Sequence, residues 1–261
     1  MMKLPISFFE FEDLSWFPNV IREGMTDYLR YLIARINFYK PVIPLITEAL
    51  NQTSSNCIID LCSGGGGAIE QIQNDLQKQS TLDIKIILTD KYPNCSAFEY
   101  ISAKTNGRIL FSDASVDAAD VSKTLTGFRT IFSGFHHFEP QLAKAVIQNA
   151  VDAKSGIGIF DGGDKNILAI LFILIIHPIV FIFFTPFFQP FRFSRLLFTY
   201  FIPIIPLCSI WDGIVSIIRL YTPDDLLAIA SSVDNETYLW KAGKMKSNYG
   251  MHVTYLIGYP N

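Results

Sequence analysis

The 261-residue sequence predicts an α/β fold, doubly wound, with a mostly parallel sheet carrying helices on both faces. Three observations predict it. Short, continuously apolar runs recur through the middle of the chain, and stretches of helical periodicity about a dozen residues long separate them. Glycines, acids and histidines cluster where the apolar runs stop. Strands that are apolar throughout are buried on both faces, which is the mark of parallel βαβ units.

Taken in order, residues 1–55 read as an N-terminal helical cap. Met1 to Asp13 lacks the apolar core of a signal peptide. Pro18-Asn19 opens a helix in which Met25, Leu29, Leu32, Ile33 and Ile36 recur at three- and four-residue spacing, and a second helix runs from Val42 to Leu50. The aromatic run Phe8, Phe9, Phe11, Trp16 and Phe17 ahead of the first helix suits either a packed cap or a lid over a ligand.

Residues 56–165 form the core. Cys57 to Leu61 is a strand that ends in Ser63-Gly64-Gly65-Gly66-Gly67, followed by a helix with Ile69, Ile72 and Leu76 on one face. Ile84 to Asp90 is a second strand that ends on an acid, with a helix from Pro93. Arg108 to Phe111 is a third, followed by Asp113-Ala114. Thr130 to Ser133 is a fourth, followed by Gly134-Phe135-His136-His137-Phe138 and a helix, and Gly158 to Asp161 is a fifth. Residues 219–261 form the C-terminal part of the core, with a helix starting at Thr222-Pro223-Asp224-Asp225.

Charge separates one block from the rest. Lys, Arg, Asp and Glu make up only 17% of the chain, yet residues 166–218 hold just three of the 45, Arg192, Arg195 and Asp212. Ten of the 22 phenylalanines lie in that block. It begins with 26 uncharged residues from Asn166 to Phe191, about 39 Å as helix, enough for a hydrocarbon core of ~30 Å. Both ends join one domain, so any crossings are even in number, and two crossings would carry both arginines to the far side against the positive-inside tendency. The expectation is a membrane-embedded helical hairpin, spanning or re-entrant, with the arginines at headgroup level. An oily cap over a long-chain substrate and a dimer interface are the competing readings.

A net charge of −3 gives no footprint for nucleic acid. The four cysteines form no CxxC pair, so no zinc knuckle or disulfide framework is written here, no metal is expected, and the reducing cytosol is the default compartment.

A glycine-rich turn after the first strand lets a ligand approach a helix N-terminus closely, and an acid ending the second strand can accept hydrogen bonds from ribose hydroxyls. A plain flexible loop competes with that reading. The turn lacks the third glycine of a dinucleotide motif, and Glu70 in the first helical turn would repel a pyrophosphate. Ile58 to Gly66 resembles the first motif of class I S-adenosylmethionine-dependent methyltransferases, with Cys62 where the commonest motif has its first glycine. Leu88-Thr89-Asp90 resembles their ribose-binding acid, Ser112-Asp113-Ala114 their adenine motif, and Phe132 to Phe138 the fourth motif of the ubiquinone/menaquinone-biosynthesis type branch. Val253 to Gly258 is similar to the last strand of the hairpin that ends the family's seven-stranded, Rossmann-like sheet.

The resemblance implies that Asp60, Gly64, Gly66, Asp90, Asp113 and Ala114 hold S-adenosylmethionine. His136 and His137 are candidate bases or packed structural residues, and Asp161 and Asp164 are candidates for holding an acceptor. The expected activity is methyl transfer to a small, lipophilic acceptor by a membrane-associated protein, with membrane lipids as partners and the catalytic domain in the cytoplasm. The alternative is a non-catalytic, membrane-associated cofactor-binding or scaffold protein.

Overall fold

The computed structural model describes residues 8–79, 83–234, 236–247 and 250–261; the first seven residues of the Met1 to Asp13 stretch lie outside them. Seven strands form one sheet: β1 (Cys57–Leu61), β2 (Lys85–Leu88), β3 (Ile109–Phe111), β4 (Phe128–Phe132), β5 (Ile157–Gly162), β6 (Tyr238–Lys246) and β7 (His252–Pro260). Their order is β3-β2-β1-β4-β5-β7-β6. β1 to β5 are parallel, and β7 runs antiparallel between β5 and β6. Strand order reverses between β1 and β4, so the crevice of such a sheet lies beyond their carboxyl ends. There the glycine turn and the histidine pair stand side by side.

Two helical layers cover the sheet. On one face, α2 (Ile43–Gln52), α3 (Ile69–Gln79) and α4 (Cys95–Lys104) bury Ile46, Ile72, Leu76, Phe98 and Ile101. On the other, α5 (Pro140–Asp152) and α9 (Pro223–Ser231) bury Val146, Ile147, Leu226 and Ala230. Thr222 and Asp225 form a capping box at the start of α9, each bonding the other's backbone N–H.

A roof lies over the carboxyl edge. It consists of α1 (Asn19–Ile36) and the apolar block, folded as α6 (Ile167–Phe184), a short α7 (Phe193–Leu196), a π-turn Leu197–Phe201, and α8 (Ile204–Arg219). Asn166 caps α6 by accepting the Ala169 N–H at 2.9 Å. Tyr28 of α1 stacks on Phe181 with ring centroids 4.1 Å apart, and Phe17, Ile21, Met25, Phe188, Ile205 and Cys208 complete that core.

The tip of the hairpin is held by ion pairs. Arg195 donates to Asp27 of α1 at 2.6 Å and to the Pro190 carbonyl at 2.9 Å. Arg192 pairs with Glu23 and Asp27 and donates to Asn94 at the head of α4. Arg195 is 1% exposed. A buried guanidinium needs a carboxylate partner, and α1 supplies it. Both arginines are thus anchored on the domain itself, and the hairpin packs along the cap.

Its outer surface remains apolar. Residues Ile167–Phe187 have mean hydropathy 3.1 with only 17% buried, and this is the single helix, among the described residues, long and apolar enough to cross a membrane. The returning arm bends by 80° between Phe201 and Ile204. Phe183, Phe187, Phe193 and Phe201 all stand in solvent, Phe201 being 80% exposed.

Candidate active site

The glycine turn is shaped by backbone constraints. Cys62, Gly64, Gly66 and Gly67 all have positive φ. The Gly64 N–H donates to Asp90 Oδ2 at 2.7 Å, and the Tyr92 N–H donates to Asp90 Oδ1 at 2.7 Å. Burial pushes the Asp90 carboxyl up, against the two N–H groups that favour its ionised form. Each oxygen keeps a second lone pair for a hydroxyl. Above the turn runs α1, so close that a Cβ on Gly65 would stand 2.6 Å from the Thr26 carbonyl oxygen.

The expected cofactor residues divide. Gly64 and Asp90 line a cavity of about 440 Å³ between the turn and α1, together with Arg22, Thr26, Tyr92 and Ser133. Asp60 lies beneath the turn, accepting hydrogen bonds from Ser63 and Thr130, both at 2.7 Å, with burial raising its carboxyl to about 7. Gly66 packs inward, where a Cβ would meet Ile101 at 2.2 Å. Asp113 and Ala114 are exposed; Val116, Asp117 and Ala118 line the cavity at that edge instead. The Asp-Ala pair recurs four residues on, and the Val116 N–H to Asp90 carbonyl bond at 2.9 Å brings the second copy into place.

A second cavity of about 690 Å³ adjoins the first. Leu32, Ile36, Phe38, Phe172, Ile173 and Ile217 give it apolar walls drawn from α1 and the residues just after it, and from α6 and α8. Glu10, His136 and Asp212 give it a polar end. Five residues line both cavities: Glu12, Leu29, Ile33, Ser133 and His137.

The polar end is assembled by an N-terminal strap, Phe8 to Phe17, whose aromatic residues suited either a packed cap or a lid in the sequence and whose acids were not singled out there. Asp212 holds it, accepting the N–H of Phe11 at 2.8 Å and of Glu12 at 3.1 Å. Arg219 donates to Glu10 at 3.1 Å and to Asp13 at 2.8 Å, and His137 Nδ1 lies 2.8 Å from Asp13. Burial opposes charge on His137, but Glu10, Asp13 and Glu12 outweigh it and push its pKa up to about 10. Burial first, then the Asp212 charge, raises Glu12 to about 8, while burial and Glu10 raise Asp212 to about 7 against two backbone N–H bonds.

His136 is buried, with Nδ1 3.3 Å from Asp161 and Nε2 3.9 Å from Glu10. Asp164 lines the second cavity but pairs with Lys244 and His252. Glu10, His136 and His137 bring ligand-type atoms within 4.8 Å of one another. Both Glu10 oxygens are already taken by Arg219 and Ser216, and His137 Nδ1 by Asp13.

No family model matches the chain, and no curated protein matches it. Solved structures do. An O-methyltransferase family protein from Burkholderia thailandensis is 14% identical, with 90% of this chain and 59% of that one covered, at TM-score 0.51. PigF with SAH is 14% identical over 95% and 63%, at 0.51. The plantazolicin methyltransferase BpumL in complex with SAH is 12% identical over 96% and 93%, at 0.52. The chain thus spans about three fifths of the length of the first two. At such identities the likeness is one of fold: this is the seven-stranded, Rossmann-like methyltransferase fold.

Proposed function

We propose that the chain transfers the methyl group of S-adenosylmethionine to a small, lipophilic acceptor at a membrane surface. The observation that carries this reading is the meeting of two unlike cavities, one over a glycine turn with Asp90, the other apolar, at Glu12, Ser133 and His137. S-adenosylmethionine held by the lining of the first cavity would supply the methyl group, and the residues shared with the second would orient an acceptor toward it. Asp90 takes the ribose hydroxyls, Gly64 lets the methionine portion approach, and Val116 to Ala118 border the adenine. Asp60 supports the turn from below, Gly66 gives it room against Ile101, and Asp113-Ala114 flank the adenine edge. Two of the fold's neighbours hold SAH, which favours the same ligand class here. The Phe132 to Phe138 motif favours the ubiquinone/menaquinone-type branch.

The apolar block serves as both wall and docking face in this reading. Its inner side lines the acceptor cavity, and its outer side offers phenylalanine and isoleucine to a bilayer on the cytoplasmic face. Because Arg192 and Arg195 tie the tip to α1, the hairpin lies in the interface plane and does not leave the domain. An acceptor that partitions into lipid then enters from the side on which the protein rests.

Calorimetric binding of S-adenosylhomocysteine to the detergent-solubilised chain tests the cofactor assignment. Micromolar binding is expected, with Asp90→Asn losing it while remaining folded. A folded parent that binds nothing would overturn methyl transfer and leave a scaffold of this fold.

A further inference from the structure

We propose that Glu12 is the group that takes the acceptor's proton, and that the acceptor therefore presents an uncharged hydroxyl on an apolar body. The proposal rests on the methyl-transfer reading. Of the five residues shared by the cavities, Leu29 and Ile33 are apolar, Ser133 is bonded to Tyr39, and His137 is committed to Asp13. Glu12 remains. Its Oε1 is buried without a hydrogen-bond partner among the described residues.

The neighbouring acids differ from it. Glu10 and Asp13 are ion-paired with Arg219, and Asp212 is occupied by two backbone N–H groups. Glu12 forms no ion pair among the described residues, and the strap's bonds to Asp212 hold its backbone in place. The charged groups around it are Glu10 and Asp13 on the strap, Asp212 and Arg219 on α8, and His137 after β4; Arg22 of α1 donates to its carbonyl at 3.3 Å.

Proton affinities support the same assignment. A carboxyl raised to about 8 ionises as the pH approaches 8, and in that form it accepts a proton from a hydroxyl far better than an ordinary one. His137, pushed up to about 10, keeps its proton through that range and so steadies charge without accepting any. In the step, the acceptor oxygen forms its bond to the methyl carbon as the carbon–sulfur bond breaks. The bonding pair goes to sulfur, giving neutral S-adenosylhomocysteine, and the hydroxyl proton passes to Glu12. The products are a methyl ether and a protonated carboxyl, which returns its proton to water when the cavity opens.

The same corner selects the acceptor's head group. Once Glu12 and Asp212 ionise, near pH 8, Glu10, Glu12, Asp13 and Asp212 face only Arg219 and His137 as balancing cations, so a carboxylate or phosphate head would then meet net negative charge.

Two binding measurements on the full chain in detergent test this without a known acceptor. In the first, the ratio of S-adenosylmethionine to S-adenosylhomocysteine affinity is followed from pH 6 to 9.5. A sulfonium beside Glu12 favours its ionised form by about one pKa unit or more, so the ratio should rise by about tenfold as Glu12 ionises. In Glu12→Gln the ratio should stay flat while S-adenosylhomocysteine still binds. A flat ratio in the parent, or an equal rise in the variant, would overturn the proposal. Loss of S-adenosylhomocysteine binding by the parent would instead overturn the cofactor reading beneath it. In the second, 4-dodecylphenol should bind the parent at least about tenfold more tightly than dodecanoate at pH 8, and Glu12→Gln should narrow the gap. Equal or tighter binding of dodecanoate would overturn the head-group assignment.

Discussion

The two cavities are built in opposite ways. The one over the glycine turn has its floor in residues that follow β1 and β2 directly, joined by bonds such as Gly64 N–H to Asp90, 26 positions apart. The apolar one is assembled from the strap, α1, α6 and α8, whose key contacts join residues some 200 positions apart, as Asp212 does with Phe11 and Glu12. A site set at strand ends inherits its geometry from the sheet. A site made by distant segments depends on a few long-range polar bonds, and those are where it can be taken apart.

Removing the Arg195 guanidinium tests the most sensitive of these bonds. Arg195→Ala leaves Asp27 buried against one remaining arginine, and loss of about 3 kcal/mol or more of unfolding free energy is expected in denaturant melts. Asp212→Ala should cost less, about 1–3 kcal/mol, by orphaning the Phe11 and Glu12 N–H groups. It should weaken 4-dodecylphenol binding while S-adenosylhomocysteine binds as before; loss of both would mean the two sites are not separately built.

A pH series reads the same corner. Glu12 and Asp212 have folded values raised above their unfolded ones, so their contribution is complete below 4.5 and 3.8 and is lost as pH rises to about 8 and about 7. His137 acts in the same sense, its contribution being complete below 6.5 and lost as pH rises to about 10. Thermal stability should therefore fall from about pH 5 to 10, and in Glu12→Gln the slope should be shallower below about pH 8. A flat profile would mean that these groups are solvated. The smallest effect on stability is expected on the outer face. Phe183→Ser with Phe187→Ser should change unfolding by about 0.5 kcal/mol or less, since Phe183 is 64% exposed and Phe187 62%. Sedimentation with phosphatidylcholine–phosphatidylglycerol vesicles should nonetheless drop severalfold.

What the sequence conveys follows the same division. Cys57 to Leu61, the opening of α1 at Asn19 and the start of α9 at Thr222 are written in local apolar runs and capping residues, and the structure reproduces them. Gly64 and Asp90 line one cavity because a turn and a strand end are placed locally. Asp113-Ala114 stand outside that lining and Val116 to Ala118 within it, because only the path of the chain after β3 brings the second Asp-Ala pair of that segment to the cavity. Glu12 left no local trace: an acid in a short aromatic strap acquires meaning only when α8 binds that strap. The partners of Arg192 and Arg195 left no local trace for a similar reason, since Glu23 and Asp27 lie on a helix about 170 residues earlier.

One adjacency in α1 has a mechanical consequence. Thr26 and Asp27 are consecutive, yet the carbonyl of the first rests on Gly65 and the carboxylate of the second grips Arg195. A single turn of helix thus braces both the glycine turn and the apolar hairpin, so a substitution that shifts that turn should disturb the walls of both cavities together.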